Sequence, residues 1–378
     1  MPFPFVKGGG QRRFYEIGKN IASDGWEVDW VSFKAWSGLT KLKTTYIRYI
    51  GIKNLPVIYN TYGNRRKFPP IIFAITLIKN ISIFKNYDVI WVGQWPLLHI
   101  IPSIIASKYY NKKLIIDWWE VWGKKIWVNY SKSIGYLGYV LEKLSIWFST
   151  KSATVFTDSL LEKEKLIKNS YPNTTIHLVP NGISKAEIGD ISFPKKTKFD
   201  IVSFGRLKNH KRVDLLIEAI KIILKNYNIK YSLAIIGDGP NKKELQTLTN
   251  KLGLGDQVTF FGTIPKLTDM YNLIKKCSIC CITTQGGGGG NLAILEANAC
   301  GLPVIIFDYE DGIDSSLIKS GQNGVFVNSL DSYQLGKSIY GLLKDKSLLQ
   351  KISHSSYQYS TNYNWNNLSE KYKNNFLS

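Results

Sequence analysis

Short apolar runs alternate with longer amphipathic stretches along nearly the whole chain. In the first half YDVIWVG (Tyr87 to Gly93), KKLIIDW (Lys112 to Trp118), SATVFTD (Ser152 to Asp158) and IHLVP (Ile176 to Pro180) read as buried strands. FDIVSFG, YSLAIIG, QVTFFG, CSICCIT, LPVIIF and GVFVN read the same way in the second half. Between them, RVDLLIEAIKIILKNY (Arg212 to Tyr227) and NKKELQTLTNKLG (Asn241 to Gly253) space their apolar residues at helical intervals. Strands apolar throughout, alternating with helices, predict parallel sheets covered on both faces. The period is lost in ISKAEIGDISFPKKTKFD, Ile183 to Asp200, which marks a domain boundary. The expected fold is α/β, with two doubly wound Rossmann-like domains facing across a cleft and ligand groups at the carboxyl ends of the strands. The domains are expected at 1–190 and 191–355.

The beginning departs from that scheme. Only PFPFV precedes the glycine-rich turn KGGGQRR (Lys7 to Arg13) and the helical FYEIGKNIASDG. Either the first strand is clipped, or the native protein starts upstream of Met1. MPFPFVKGGG lacks the apolar core of a secretory signal. The longest apolar stretches, Phe68 to Ile78 and Pro96 to Ser107, fall short of the roughly 20 residues a spanning helix needs. A cytoplasmic location is expected.

Composition narrows the partners. At 378 residues and 44% hydrophobic, both halves can hold a core. The net charge is +21, of which +13 lies within residues 1–190. Such an excess suits an anionic partner: nucleic acid, lipid headgroups or a phosphorylated substrate. Basic residues spread over most of the chain, without an RNA-binding, zinc or helix-turn-helix signature, argue against nucleic acid. Cys277, Cys280, Cys281 and Cys300 cluster without a nearby histidine or a second Cys pair, so buried thiols in a reducing compartment are expected, and no metal.

VSFGRLKNHKRVDLLIEA (Val202 to Ala219) sets Arg206 and Lys211 between a strand and a helix, where helix N–H groups also favour anions. A guanidinium fork beside an ammonium suits a diphosphate; a solvated basic loop is the plainer alternative. TTQGGGGGNLAILEANACGLPVI (Thr283 to Ile305) then brings five glycines, Gly286 to Gly290. A flexible linker is one reading of them. Bracketed by a strand and a helix, they read better as bare backbone that a phosphate can approach. Glu296 lies a little over one turn into the helix, and a carboxylate so near phosphates would repel them, so its expected partners are neutral hydroxyls such as those of a ribose. His99, His177, His210 and His354 form no cluster, though His210 falls inside the basic loop. DYEDGID (Asp308 to Asp314) reads as a loop rather than a metal site.

GRLKNHKRVDLLIEA, LAIIGDGPNKKELQTL, VTFFGTIP, NLAILEANACGLPVI and NGVFVN, in that order, resemble the nucleotide-sugar domain of family 4 glycosyltransferases, which have the GT-B fold. GGGQRRFYEIGKNIASDGWEV resembles that family's acceptor loop and first helix, and VPNGI its interdomain junction. NYNWNNLSEKY resembles the terminal segment that returns to the first domain, expected here at 356–378. The resemblance covers essentially the whole chain. It implies a retaining, metal-independent hexosyltransferase that needs no cofactor and takes a nucleotide-diphosphate-sugar as co-substrate. It further implies Arg206 and Lys211 at the donor diphosphate, with Gly289, Gly290, Asn291 and Leu292 against the donor's sugar and phosphate. Glu296 is implied at the ribose, Phe261 and Gly262 near the base, and Gly9 and Gly10 in the acceptor loop. Two positions depart from the pattern. Gly288 stands where the E-x7-E pair has its first glutamate, which ordinarily touches the sugar. Trp119 stands where a cleft histidine is common, flanked by Asp117 and Glu120, which either replace its polar contacts or serve as a helix cap and a surface acid.

The acceptor is expected to be a glycan or a polyprenyl-linked molecule. Trp118 to Phe148 holds five Trp and three Tyr among its lysines, and Asn64 to Lys85 is likewise basic and apolar. Both are accounted for as amphipathic helices packed on the sheet, or as peripheral attachment to an anionic membrane surface on the cytosolic side. Two other functions stay open: a non-catalytic partner subunit of a glycosyltransferase, and a nucleotide-sugar 2-epimerase.

Overall fold

The computed structural model describes residues 5, 8–38, 40–54, 66, 68–132, 134–191, 197–285, 292–308 and 314–377. The chain divides into two compact units: unit 1, Met1–Asn181 with Trp365–Ser378, and unit 2, Gly182–Asn364.

Unit 1 runs α1 (Gly9–Ser23), β1 (Val28–Lys34), β2 (Lys41–Lys43), β3 (Ile47–Asn54), α2 (Phe68–Lys79), β4 (Val89–Gly93), α3 (Ile100–Tyr109), β5 (Lys113–Trp118), α4 (Gly123–Tyr130), α5 (Gly135–Ser152), β6 (Thr154–Thr157), α6 (Leu160–Ile167) and β7 (Ile176–Leu178). Strands β4 to β7 form a parallel sheet in chain order. Its inner strand β5 is buried continuously from Leu114 to Trp118, as an unbroken apolar run predicts. A second sheet has the order β1-β3-β2, with β1 and β3 parallel and β2 antiparallel to β3. These three strands were not expected from the sequence. They are only partly buried, so polar and charged residues interrupt the apolar run that marks the others. Of PFPFV, only Phe5 is among the described residues.

Unit 2 runs α7 (Lys185–Ile188), β8 (Phe199–Phe204), α8 (Val213–Tyr227), β9 (Leu233–Ile236), α9 (Lys242–Lys251), β10 (Val258–Gly262), α10 (Leu267–Ile274), β11 (Cys277–Ile282), α11 (Leu292–Ala299), β12 (Val304–Phe307), β13 (Gly324–Val327), α12 (Ser332–Lys344) and α13 (Lys346–Ser360). All six strands are parallel, in the order β10-β9-β8-β11-β12-β13. Each face of this sheet has its own apolar core. Leu216, Ile220 and Ile223 of α8 belong to one, and Ile294, Leu295 and Ala297 of α11 to the other. All four cysteines are free and buried, and burial pushes the Cys277 thiol up to about 12.

The divide falls at Asn181, ahead of the polar stretch, because Ile183 and Ile188 are buried in the second core of unit 2. Helix α13 also stays with unit 2, and the chain re-enters unit 1 as α14 (Trp365–Leu377), which packs on α1. Tyr372 anchors that helix. Its hydroxyl donates to Asp117 Oδ1 at 2.6 Å and accepts from Arg13 Nη2 at 2.6 Å. Arg13 also donates to the carbonyls of Val179 (2.7 Å) and Pro180 (3.0 Å). All three side chains are fully buried. Burial opposes the Arg13 charge, but Tyr372, Asp117 and Asp158 more than offset it and raise its pKa. Removing one partner of a buried ion pair strands the other charge, at about 3–5 kcal/mol. Losing a neutral hydrogen-bonding group costs about 1–3 kcal/mol. Arg13 Nη2 lies 3.6 Å from Asp117 Oδ1, so in urea unfolding Asp117→Ala should lose clearly more stability than Tyr372→Phe; equal losses contradict that ion pair.

Candidate active site

In unit 2 the strand order reverses between β8 and β11, and such a switch point leaves a crevice at the carboxyl ends of the two strands. A pocket lies there, lined by Gly205, Arg206, Leu207, Lys211, Thr283 and Thr284, among others. The loop after β8 is tied to the chain after β11. Thr283 Oγ1 donates to the Lys211 carbonyl (2.7 Å), the Gln285 N–H to the His210 carbonyl (2.6 Å), and Lys211 Nζ reaches Thr284 Oγ1 (3.4 Å). Arg212 takes a left-handed turn (φ 45°) and donates to Gln285 Oε1 at 3.0 Å. Arg206 and Lys211 thus line one pocket, Arg206 exposed and Lys211 half-buried. His210 is pulled down to about 4, by desolvation first and then by Lys211 and Lys208, so near neutral pH it adds no charge.

Close backbone approach shapes this edge. A Cβ on Gly237 would lie 1.9 Å from the Gly205 carbonyl, and both glycines have φ near 134° (134° and 133°), which other residues rarely adopt. The Gly237 N–H donates to the Gly262 carbonyl at 2.8 Å, and Phe261 packs edge-on against Phe199 at 5.6 Å. Gly288, Gly289, Gly290 and Asn291 lie outside the described residues. Leu292 opens α11, and Ala293 beside it lines the pocket. Glu296, three residues on and so on the same helix face, is buried and accepts from the Tyr271 hydroxyl at 2.6 Å. Thr283, Thr284 and Tyr271 escaped the sequence reading, since hydroxyls in a strand end or an amphipathic helix carry no motif.

In unit 1 the corresponding edge collects the start of α1 and the chain leaving β5. Gly9 has open space around it. Gly10 does not: a Cβ there would sit 2.4 Å from the Trp119 ring, and one on Gly93 2.8 Å from it. Phe14 meets the same indole edge-on at 5.5 Å, and the indole N–H is buried without a hydrogen bond. Glu120 Oε2 accepts from the Trp122 indole at 2.9 Å. Asp117 differs from the expected cleft role, because Tyr372, Arg13 and Trp91 enclose its carboxylate completely.

The chain after β5 is held by side chains. Gln94 Oε1 accepts from the N–H groups of Trp119 and Glu120, and Glu162 accepts from that of Val121. Glu142 takes those of Trp122 (2.9 Å) and Gly123 (2.8 Å), one on each oxygen. Burial drives both acids up. Glu162 reaches about 7 despite Lys165 at 2.8 Å, and Glu142 rises against the pull of the Trp122 and Gly123 N–H groups. The only hint in the sequence was a lone acid inside the apolar run YVLEKLSIWF. Among the described residues no cluster of three or more potential metal ligands occurs.

Residues 184–359 match the family model described as Glycosyl transferases group 1. That is nearly the whole of unit 2. The chain is 30% identical over 185 residues, 49% of its length, to an exopolysaccharide phosphotransferase of Streptomyces coelicolor. It spans 19% of that protein, and less than two thirds of the length of the curated relatives it first matches. Its fold is similar to sucrose-phosphate synthase from Thermosynechococcus elongatus, with a TM-score of 0.78 at 18% identity over 98% of this chain and 93% of that one. HepE of Anabaena, solved with UDP and glucose, gives 0.74 at 16% identity over 98% and 96%. The fold is GT-B.

An acid whose folded pKa lies above its unfolded value leaves the native state holding more protons across that interval, so stability is full below the interval and falls as pH rises through it. For Glu162 the interval runs from 4.5 to about 7. Glu162 therefore contributes stability that is lost as pH rises from 4.5 to about 7, whereas His99, His177 and His210, whose pKa values are lowered, contribute stability that grows as pH rises through the acidic range. The effect of Glu162 is read against Glu162→Gln, which retains an acceptor oxygen: wild-type thermal midpoints relative to the variant should fall across that interval. An unchanged slope in the variant counts against this assignment.

Proposed function

We propose that the protein transfers a sugar from a nucleoside-diphosphate sugar to a hydroxyl of a glycan or polyprenyl-linked acceptor, with retention of anomeric configuration. One observation carries the reading: Arg206 and Lys211 line a single pocket at the switch point of a sheet that matches the group 1 glycosyl transferases. Breaking the anomeric bond leaves negative charge on the departing diphosphate. Fixed cations there stabilise the transition state more than the ground state, often the largest single catalytic contribution. The guanidinium offers two parallel donors and the ammonium a compact charge. Thr284 beside Lys211 keeps the ammonium directed at the pocket. Glu296, already bonded to one hydroxyl from Tyr271, suits the neutral diol of a ribose.

HepE was solved with UDP and glucose, which supports a nucleotide-sugar donor for this chain and makes UDP the first base to test. In unit 1, Gly9 leaves open room at the start of α1, and we assign it with Gly10, Trp119 and Glu120 to the acceptor side. The epimerase and the inactive-partner readings are not favoured by the relatives, several of which are named as glycosyltransferases.

A thermal-shift panel of UDP-, GDP- and ADP-sugars should single out one base, since a ligand at 100 times its dissociation constant adds about 2.7 kcal/mol. With that donor, Arg206→Ala and Lys211→Ala should each lower turnover by roughly 10²–10³-fold. Arg206 is exposed, so its variant should keep the wild-type thermal midpoint. Wild-type turnover in both variants rejects the reading.

A further inference from the structure

Helices α2 and α5 of unit 1 both contact α3, and α4 contacts α5. The outer face of such a layer is ordinarily polar. Here it is not. On α2, Phe68, Ile71, Ile75 and Ile78 recur every three or four residues and are all exposed, Phe68 to 73%. On α3, Ile101, Ile105 and Tyr109 recur every fourth residue and are exposed, Tyr109 to 77%, while Ile100, Ile104 and Ala106 turn into the core. Leu137, Leu144 and Phe148 continue the exposed stripe on α5, and Ile126 and Tyr130 on α4. Helices α2 and α3 are therefore apolar nearly all round, a pattern that belongs to helices surrounded by apolar material.

The charges on this face have one sign. Helix α2 carries Lys79 alone and α3 Lys108 alone. Helix α4 adds Lys124 and Lys125, and α5 adds Lys143 and Lys151, all exposed. The single acid, Glu142, is buried beneath the layer, bonded to the Trp122 and Gly123 N–H groups. Lys124, Lys143 and Lys151 sit over Tyr136, Tyr139 and Trp147 at 5.8, 5.6 and 4.8 Å, so aromatic rings and cations share one level. The four helices thus expose apolar groups and lysines, and their one acid is buried. That is complementary to a surface with negative headgroups over hydrocarbon. With 12 and 10 residues, α2 and α3 are too short to span and would lie flat. Among the described residues no helix is long and apolar enough to cross a membrane.

We propose that the outer face of α2, α3, α4 and α5 docks on an anionic lipid bilayer, its apolar side chains at the headgroup–acyl boundary and its six lysines among the phosphates. The inference is independent of the proposed reaction, since vesicle binding requires neither donor nor turnover. The full chain should float with vesicles of mixed phosphatidylglycerol and phosphatidylcholine, bind phosphatidylcholine alone weakly, and lose affinity as salt rises. Lys108→Gln should cost roughly fivefold in partitioning. Ile75→Ser/Ile105→Ser/Leu144→Ser should lower it by more than roughly tenfold, and should keep the donor-induced thermal shift, because none of the three lines the candidate pocket. Absence of binding to anionic vesicles at low salt overturns the proposal, as does wild-type partitioning by the triple variant. So does a vesicle-indifferent dimer that the triple variant converts to monomer, which would assign the face to a second copy of the chain.

Discussion

Five successive backbone N–H groups, from Trp119 to Gly123, leave the end of a buried strand and donate to side-chain oxygens of Gln94, Glu162 and Glu142. A buried N–H without a partner costs as much as a lost hydrogen bond, so this stretch could not hold its path without those three residues. They come from the end of β4, the first turn of α6 and the middle of α5, and together fix where Trp119 and Glu120 sit. The arrangement is expensive in another way. Glu142 and Glu162 are carboxylates in a poorly solvated place, and their raised pKa values register that cost. The site edge of unit 1 is held by carboxyl groups kept out of water.

Unit 2 solves the same geometric problem with less. Its strand ends are brought together by glycine backbones in direct contact, Gly205 against Gly237, and by short hydroxyl bridges from Thr283 and Thr284. Arg212 is paired with Asp214, and Arg206 and Lys211 are the charges among the pocket's lining residues. One unit is thus stiffened by acids turned inward, and the other presents cations outward. Among the acids of unit 1, Glu16, Asp117, Glu142, Asp158 and Glu162 are buried, whereas Asp24, Glu27, Asp88, Glu164 and Glu370 stay at the surface.

The strands of both larger sheets were legible because each is an unbroken apolar run, and a strand buried on two faces permits little else. The smaller sheet was not, since its partly exposed strands admit Asp29, Arg48 and Lys53 into the pattern. In the candidate site, Arg206 and Lys211 could be read from sequence because a local rule, cations between strand and helix, brings them together. Gln94, Glu142, Glu162 and Tyr372 could not, because each acts on residues 19 or more positions away and no local pattern records that. Asp117 shows the opposite failure. Its neighbours in sequence suggested a ligand contact, whereas its neighbours in space are Arg13 and Tyr372, from near the two ends of the chain.

Trp119 bears on whether the departures from the family pattern weaken the proposed activity. A tryptophan dropped into a site built for a smaller ring would clash or stand off its rotamer. Here it fits because Gly10 and Gly93 lack side chains where the indole lies, and because Phe14 closes its edge. An alanine at either glycine would put a carbon within 3 Å of the ring, so indole and glycines form one packed unit, and the loop beneath is fixed by three side chains. The buried indole N–H makes no hydrogen bond, so the ring is held by packing, whereas Glu120, next along the same clamped loop, accepts from the Trp122 indole at 2.9 Å.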